Sequence, residues 1–289
     1  MNLFIPPLHI VLGGGGVKCL AYIGAFQELE SNNFLKTIQY FHGVSAGAFM
    51  CFVYILGYSL KELYQIGKSL DFSLVQNIDE NFPFELFHSF GFDNGAKLEK
   101  LIETFLKHKG FNREITFEQL YALTKKHLIF YAVDIHDKKL KQFSYKTTPN
   151  TTILFALRSS MSLPGYFTPM IDISSNHYYV DGALINNYPI DLIHSETVLG
   201  INFKDDNRSV EKIESIQSYF YQLFSCLYNK TMEVSDNSKE KTIYINCKAS
   251  TLDFYATEEE RIEIMESGRE SVKEFLKKKR SFQKRRNSL

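Results

Sequence analysis

Long apolar runs, paired cysteines and net charge are all missing from this sequence. No apolar stretch reaches the about 18 residues that a membrane-spanning helix needs, and the longest, AGAFMCFVYILGYSL, is better interpreted as a buried helix. The N-terminal MNLFIPPLHIVLG has no basic segment before its apolar run, and Pro6 and Pro7 interrupt that run, so it is a poor signal peptide. We therefore expect a soluble, intracellular, cytoplasmic protein whose contact with membranes, if any, is peripheral.

The cysteines do not show the spacing of a disulfide or metal-binding motif. Cys19, Cys51, Cys226 and Cys247 lie far apart, without a C-x-x-C pair and without a histidine at metal-ligand spacing. We expect reduced, partly buried thiols.

Charge is balanced in total but not along the chain. The 33 basic residues equal the 33 acidic ones, yet Lys273 to Leu289 contains eight basic residues and one acid, a net charge of +7. This basic tail favours an anionic partner such as lipid head groups or nucleic acid, although a solvated, frayed helix end explains the same pattern. Nothing else in the sequence indicates a nucleic-acid-binding module, so none is expected.

Alternating strand and helix patterns fill the rest of the chain. Hydrophobic residues make up 44% of it, enough for a sizeable core. LHIVL and IQYFHG are predicted strands, each followed by small residues and a helical pattern, and HLIFYAVDI with KLKQFSY is a predicted strand pair. After Phe203, two long amphipathic helices flank the predicted strand TIYINC. The alternation predicts an α/β layer fold.

The stretch GVSAG, residues 43–47, has the G-x-S-x-G spacing of a serine nucleophile. A tight strand-to-helix turn would project Ser45, and the following helix would direct its positive N-terminal end at the hydroxyl. Such a serine also needs a base and a set of N–H donors. As an isolated pattern, GVSAG is equally compatible with a helix N-cap.

The glycine run GGGGVK, residues 13–18, lies between a predicted strand and a predicted helix. It lacks the third glycine and the following acid of a dinucleotide fingerprint, and it lacks the G-K-[ST] of a P-loop. Two interpretations remain, a flexible turn or a nest of backbone N–H groups that holds an oxyanion, with Lys18 reinforcing the turn or its charge.

The base for Ser45 is not decided by these patterns. Asp181 and His194 follow Ser45 in the chain order of a Ser-Asp-His triad. However, the α/β-hydrolase fold builds several strands before its nucleophile, whereas a single β-α unit precedes Ser45.

Four ordered motifs closely resemble the patatin-like phospholipase family. They are GGGGVKCLAYIGAFQELE, GVSAG, SSMSLPGYFTP and VDGALINNYP, within residues 8–193. The resemblance implies a three-layer α/β fold with a central, mostly parallel sheet flanked by helices and a helical C-terminal region. It implies a catalytic domain over residues 8–194, a strand and helix region over 195–272 that packs on it, and the basic tail over 273–289.

The same resemblance implies a Ser-Asp dyad that needs no histidine, metal or cofactor. Carried onto this chain, Ser45 is the nucleophile and Asp181 is the base, with apolar neighbours that would raise its pKa. The remaining implied site residues are the oxyanion donors Gly14, Gly15 and Gly16, their loop neighbours Val17 and Lys18, the serine-motif residues Gly43, Val44, Ala46 and Gly47, and the D-G-A residues Gly182 and Ala183.

The implied activity is phospholipase A-type hydrolysis of glycerolipid esters through an acyl-enzyme, with a phospholipid as the expected substrate. Cys19 departs from the family pattern, which usually has glycine there, and its side chain would narrow the turn or shield a backbone N–H. Two alternatives stay open: a Ser-His-Asp esterase or thioesterase that uses His194, and a catalytically silent lipid-binding protein. Membrane contact through the basic tail, and an acyl groove lined by DENFPFELFHSFGFDNG, are further expectations.

Overall fold

The computed structural model describes residues 6–77, 88–204, 234–249 and 254–286, together with residues 212, 213, 219, 222, 223, 226 and 231. Its strands are β1 (His9–Leu12), β2 (Tyr40–Val44), β3 (Gly91–Asp93), β4 (His127–Asp134), β5 (Lys139–Ser144), β6 (Gly165–Phe167), β7 (Met170–Asp172), β8 (His177–Asp181), β9 (Val198–Phe203) and β10 (Thr242–Ile245). Its helices are α1 (Leu20–Ser31), α2 (Ala46–Ile55), α3 (Leu60–Ser69), α4 (Ala96–His108), α5 (Phe117–Thr124), α6 (Ile153–Ser160), α7 (Asp236–Glu240) and α8 (Glu258–Arg286).

An eight-stranded sheet forms the centre of the fold. Its strand order is β10-β9-β1-β2-β4-β8-β7, and β5 pairs with β4. The five strands from β10 to β4 are parallel neighbours, while β5, β7 and β8 are antiparallel to theirs. The predicted α/β fold with a mostly parallel sheet is therefore confirmed. Because β9 and β10 belong to this sheet, the region after residue 194 supplies two of its strands.

The two faces of the sheet are covered differently, because successive strand residues point to opposite sides. Ile10, Phe41 and Phe130 belong to the main core, which the sheet forms with α1 to α6 and α8. The opposite face carries smaller clusters, around Val44 and around Val11.

Helix α8 lies along α1 at very close range. A Cβ on Gly24 would overlap the Met265 carbonyl oxygen, and one on Gly268 would overlap the Ala21 carbonyl oxygen. Glycine at both positions therefore permits the contact. The predicted last helix is confirmed, and it continues through Arg286, so most of the basic tail extends α8.

The remaining sequence predictions concern one helix boundary, the cysteines, membrane-spanning helices and two segments that the structure does not describe. The pattern TTILFALRSSMSLPGYF predicts a helix that is ended by Pro164 and Gly165, but α6 ends earlier, at Ser160, and Gly165–Phe167 forms β6. All four cysteines are free, as predicted. Among the described helices, none combines the length and apolar character needed to cross a bilayer. The predicted helix over residues 210–230, apart from isolated positions, and the part of the predicted acyl groove over 79–87 lie outside the described residues.

Candidate active site

Strands β2 and β8 meet end to end along one edge of β4. Parallel β2 ends at Val44, opposite Tyr131, and antiparallel β8 ends at Asp181, opposite Ala132. Both lie on the same edge because β5 pairs with the other edge of β4. Since Tyr131 and Ala132 are consecutive, this register places Ser45, the residue after β2, beside Asp181.

Ser45 occupies a constrained turn between β2 and α2. Its backbone dihedrals are φ 51° and ψ −122°, a conformation that non-glycine residues rarely adopt. The Ser45 N–H donates to Ser160 Oγ at 2.9 Å, and Ser160 Oγ donates to the Tyr131 carbonyl at 2.6 Å. A Cβ on Gly47 would overlap the carbonyl oxygens at the end of β1, so this glycine allows α2 to begin there. The turn is therefore held by the chain on both sides.

Asp181 is a buried carboxylate beside the serine. Its Oδ1 accepts a hydrogen bond of 2.9 Å from the Ala183 N–H, and the Ser45 hydroxyl is close enough to stabilise the charged carboxylate. Burial raises the pKa of Asp181 to about 7, and these two groups offset this only in part. A carboxylate with a pKa near neutrality accepts a proton from an alcohol more readily than an ordinary aspartate does.

No histidine is found among the described residues that line the site. His194 is exposed and follows the 3₁₀ turn Pro189–Leu192. His42 is buried, but it bonds to His9 and to the Tyr131 hydroxyl, and burial lowers its pKa to about 3. The described geometry thus brings Ser45 and Asp181 together without an imidazole.

The glycine loop runs past Ser45 into a 3₁₀ turn, Gly16–Cys19. A Cβ on Gly14 would lie 3.2 Å from the Ser45 Cβ, so the loop backbone is adjacent to the serine. The Gly14 N–H donates to Asn187, to Oδ1 at 3.1 Å and to the main-chain oxygen at 3.3 Å. No described group accepts a hydrogen bond from the N–H of Gly15 or Gly16. Helix and turn N-termini with such N–H groups are suited to hold an anion.

Cys19 and Lys18 have different surroundings in this loop. The Cys19 side chain lies in the wall of the cavity beside Ser45, where burial raises the pKa of its thiol to about 12. Cys19 is therefore a neutral, apolar wall residue at physiological pH. Lys18 is buried, and its N–H donates to the Gly15 carbonyl at 3.1 Å.

A cavity of about 170 Å³ extends from Ser45 and Asp181 into the helical layer. Its polar end is formed by the glycine loop, Ser45, Asp181 and Asn187. Beyond them the wall is apolar and comes from four helices and the loops beside them; its residues include Ile23, Phe49, Val53, Ile66, Leu98, Phe105, Leu163 and Phe254. This shape suits a substrate with a reactive polar group on a long apolar chain.

Three side chains that carry metal-ligand atoms lie close together at the other end of β8. Ligand atoms of Asp134, His136 and His177 are within 4.8 Å of one another. However, His177 Nδ1 bonds to Asp134 Oδ2 at 2.7 Å, and His136 Nδ1 accepts from the Tyr178 N–H at 3.2 Å. A neutral His136 then carries its proton on Nε2, which does not suit a metal ligand.

A match to the family described as Patatin-like phospholipase covers residues 10–194. The chain belongs to the patatin-like phospholipase family. Its resemblance in four motifs is therefore confirmed at the level of the family.

Relatives of this patatin-like protein include viral and animal proteins. Probable lipid hydrolase 463L of Invertebrate iridescent virus 6 is 32% identical over 183 residues, which are 63% of this chain and 62% of that protein. Uncharacterized protein R571 of Acanthamoeba polyphaga mimivirus is 28% identical over 284 residues, 92% of each protein. Human Patatin-like phospholipase domain-containing protein 6 is 25% identical over 211 residues, 68% of this chain and 13% of the human protein. The chain thus matches less than two thirds of the first and third of these relatives.

Solved structures show the same fold. VipD from Legionella pneumophila superposes with a TM-score of 0.66 at 18% identity, over 94% of this chain and 67% of VipD. The type III effector ExoU gives a TM-score of 0.56 at 19% identity, over 94% of this chain and 53% of ExoU. At these identities the likeness establishes the patatin-like fold.

Some of the predicted site residues line the cavity, and others do not. Those that line the cavity are Gly14, Gly15, Gly16, Val17, Ser45, Ala46, Asp181 and Ala183. Those outside the described lining are Lys18, Gly43, Val44, Gly47 and Gly182.

Three polar residues of the site received no role from the sequence. Ser160 bonds to the Ser45 N–H, the Ser162 carbonyl accepts from the Asp181 N–H at 2.8 Å, and Asn187 holds the glycine loop. The buried Arg158 guanidinium donates to Ser162 Oγ at 2.9 Å. Ser160, Ser162 and Asn187 lie in the motifs SSMSLPGYFTP or VDGALINNYP, and Arg158 directly precedes the first of these motifs. The bonds of Ser160, Ser162 and Asn187 to the site join chain segments that are distant in sequence.

Ser160→Ala is expected to lower kcat about tenfold and to destabilise the fold by about 1–3 kcal/mol. The change leaves the Ser45 N–H and the Tyr131 carbonyl buried without their shared partner, so the strained turn loses a restraint. Steady-state kinetics on a soluble ester and thermal unfolding would measure both effects.

Ser159→Ala is the matched control. Ser159 is equally buried, but its hydroxyl donates to the Phe155 carbonyl of its own helix, at 2.8 Å. We expect kcat to stay within twofold of wild type. An equal fall in kcat in both variants would contradict a positioning role for Ser160.

Proposed function

We propose that this protein is a lipid acyl hydrolase of phospholipase A type, with Ser45 as nucleophile and Asp181 as its base. The observation that carries the proposal is the position of the Ser45 hydroxyl beside a buried carboxylate with a raised pKa, at the polar end of an apolar cavity. Family membership supports the lipid class of substrate, and the name of the viral relative describes that protein as a probable lipid hydrolase.

In the proposed first half-reaction, Asp181 accepts the proton of the Ser45 hydroxyl as Oγ attacks the carbonyl carbon of the ester. The negative charge that develops on the carbonyl oxygen is stabilised by the N–H groups of Gly15 and Gly16 and by the N-terminal end of α2. Collapse of the tetrahedral intermediate breaks the ester C–O bond, and Asp181 returns the proton to the leaving alcohol. The product is an acyl group on Ser45.

The second half-reaction hydrolyses this acyl-enzyme. Asp181 accepts a proton from water, the hydroxide oxygen attacks the acyl carbon, and the proton passes to Ser45 Oγ as the fatty acid leaves. Gly14 has a supporting role in this scheme, because its N–H is bonded to Asn187. It shapes the loop rather than donating to the oxyanion.

The apolar cavity is the proposed acyl-chain site. Its wall is formed by aliphatic and aromatic side chains, and Cys19 adds a neutral thiol to that wall. Cys19 therefore affects the shape of the chain site, and we propose that the Gly15 and Gly16 donors work in its presence.

A fluorophosphonate probe tests the assignment of the nucleophile. We expect a single covalent adduct on Ser45, located by peptide mass spectrometry, with phosphatidylcholine hydrolysis lost in proportion to labelling. His194→Ala is expected to retain labelling and hydrolysis within twofold, because His194 is exposed and is not among the described residues that line the cavity. Loss of both in His194→Ala would support a Ser-His-Asp triad instead, and absence of labelling in the wild type would support a silent lipid-binding protein.

A further inference from the structure

Two exposed apolar side chains lie next to the cavity wall. Leu74 is 67% exposed and Tyr255 is 77% exposed. Leu74 lies between Phe72 and Val75, which both line the cavity, and Tyr255 follows Phe254, which also lines it. At these two places the cavity is therefore separated from the surface by a single layer of residues. We call Phe72–Gln76 and Phe254–Tyr255 the rim.

The two segments of the rim are joined by side-chain contacts. Gln76 Nε2 donates to the Tyr166 hydroxyl at 2.7 Å, and the Tyr255 hydroxyl donates to Gln76 Oε1 at 3.4 Å. The ring of Tyr166 stacks on that of Phe254 with centroids 5.9 Å apart. These contacts join Phe254–Tyr255 to Gln76, two residues beyond Leu74.

The charges beside the rim are compensated. Lys68 and Glu258 form an ion pair of 3.1 Å, and the Arg261 guanidinium donates to the Lys68 carbonyl. The Asp71 carboxylate accepts from the N–H and the hydroxyl of Ser73 at 2.9 and 2.7 Å, and these bonds, together with the nearby positive charge of Arg261, lower its pKa. A partner at the rim would thus meet apolar surface with little net charge around it.

The basic tail lies toward the other end of the molecule. Helix α8 runs along α1 in the same direction, with Gly268 against Ala21 and with Arg280 Nη2 donating to Asn32 Oδ1 at 2.9 Å. Because α1 starts at the glycine loop, its far end and the tail point away from the active site. At about 1.5 Å per helical residue, Lys277–Arg280 lie about 14–18 Å farther along α8 than Gly268. A flat lipid surface at the rim is therefore not the surface that the tail would contact.

We propose that the rim docks this protein on a phospholipid bilayer, with Leu74 and Tyr255 inserted at the head-group boundary. An apolar patch that adjoins a cavity fits a lipid surface, and compensated charges fit binding without dependence on anionic lipid. The proposal rests on the proposed function, because it gives the acyl chain of a lipid a route from the bilayer into the cavity between the two rim segments. The basic tail plays no part in this docking.

The sequence contains no tryptophan, so one introduced tryptophan reports on a single position. We expect Leu74→Trp, in the full chain carrying Ser45→Ala to prevent hydrolysis, to give blue-shifted fluorescence with phosphatidylcholine vesicles and quenching by brominated lipid. The matched control is Ile173→Trp, at a position 97% exposed in the turn between β7 and β8, remote from the rim. It is expected to show neither change. An unshifted, unquenched Leu74→Trp would overturn the proposal.

Vesicle sedimentation distinguishes binding through the rim from binding through the basic tail. The double variant Leu74→Ser with Tyr255→Ser is expected to bind phosphatidylcholine vesicles at least tenfold more weakly, while its turnover of a dissolved short-chain ester stays within twofold. The triple variant Lys277→Gln, Lys278→Gln and Lys279→Gln is expected to bind these vesicles as the wild type does, with little effect of salt. The reverse pattern would overturn the proposal, as would a dimer in solution that the rim variant dissociates without any change in vesicle binding. Vesicle binding is measured with each set of substitutions in the Ser45→Ala chain, and ester turnover with the same substitutions in the chain that keeps Ser45. Failure of the proposed chemistry would therefore show separately, as undiminished ester hydrolysis by the Ser45→Ala chain.

Discussion

Ser45→Ala is expected to lower kcat/KM for ester hydrolysis by on the order of 10⁴-fold or more, the largest effect predicted for this protein. The alanine keeps the backbone turn and its bond to Ser160, because that bond uses the Ser45 main chain. It removes the atom that would form the acyl-enzyme. The residual rate would come from the glycine loop and substrate binding alone.

The measurement is initial-rate kinetics with both a dissolved ester and a phospholipid vesicle. Circular dichroism and thermal unfolding should show a folded variant, since the lost side chain is small. Gel-based fluorophosphonate labelling should disappear in parallel. A Ser45→Ala enzyme that hydrolyses either substrate at the wild-type rate would refute the assignment of the nucleophile.

Asp181→Asn is expected to reduce kcat/KM by on the order of 10³–10⁴-fold. The amide oxygen can still accept the hydrogen bond from the Ala183 N–H, but it cannot accept the serine proton. For the wild type, burial raises the pKa of Asp181 to about 7. Activity should therefore rise with pH through an apparent pKa near 7 and level off above it, because the base must be unprotonated. A flat profile between pH 5 and 9 would contradict Asp181 as the base.

The same variant is expected to be more stable than the wild type above neutral pH. A carboxyl with a raised pKa binds its proton more tightly in the folded state than in the unfolded chain, so the folded state loses stability as pH rises from about 4 to about 7. Below about pH 4 both states hold the proton and the penalty vanishes. At pH 8 the penalty is on the order of 4 kcal/mol, from about three pKa units at about 1.4 kcal/mol each. Thermal unfolding at pH 4 and pH 8 should thus show the difference between Asp181→Asn and wild type growing with pH. Equal differences at the two pH values would indicate that Asp181 has an ordinary pKa in the folded protein.

The local parts of the fold were predictable because each depends on residues close together in the chain. The strand IQYFHG, the turn at Ser45 and the helix after it follow from apolar runs interrupted by small residues, and all three are present. Helix α8 was predictable for the same reason. The end of α6 and the strand β6 were not, because pairing with β3 lies outside the reach of any local pattern.

The features of the candidate site are also of two kinds: those that local sequence patterns indicate and those that depend on tertiary contacts. The GVSAG motif indicated Ser45, and the glycine run was compatible with an anion-holding loop, since each is a turn with local steric requirements. Local patterns left the base open between Asp181 and His194, and the family resemblance assigned it to Asp181. The proximity of the two residues is a property of tertiary structure: Ser45 and Asp181 are 136 positions apart, and the consecutive β4 residues Tyr131 and Ala132 bring them together. The hydrogen bond of the Gly14 N–H also depends on tertiary structure, because its acceptor, Asn187, lies far along the chain. The raised pKa of Asp181 depends on tertiary structure as well, because it results from burial. Residue types and spacing determine which turns can form, whereas only packing determines which of them share a cavity and how much water reaches them.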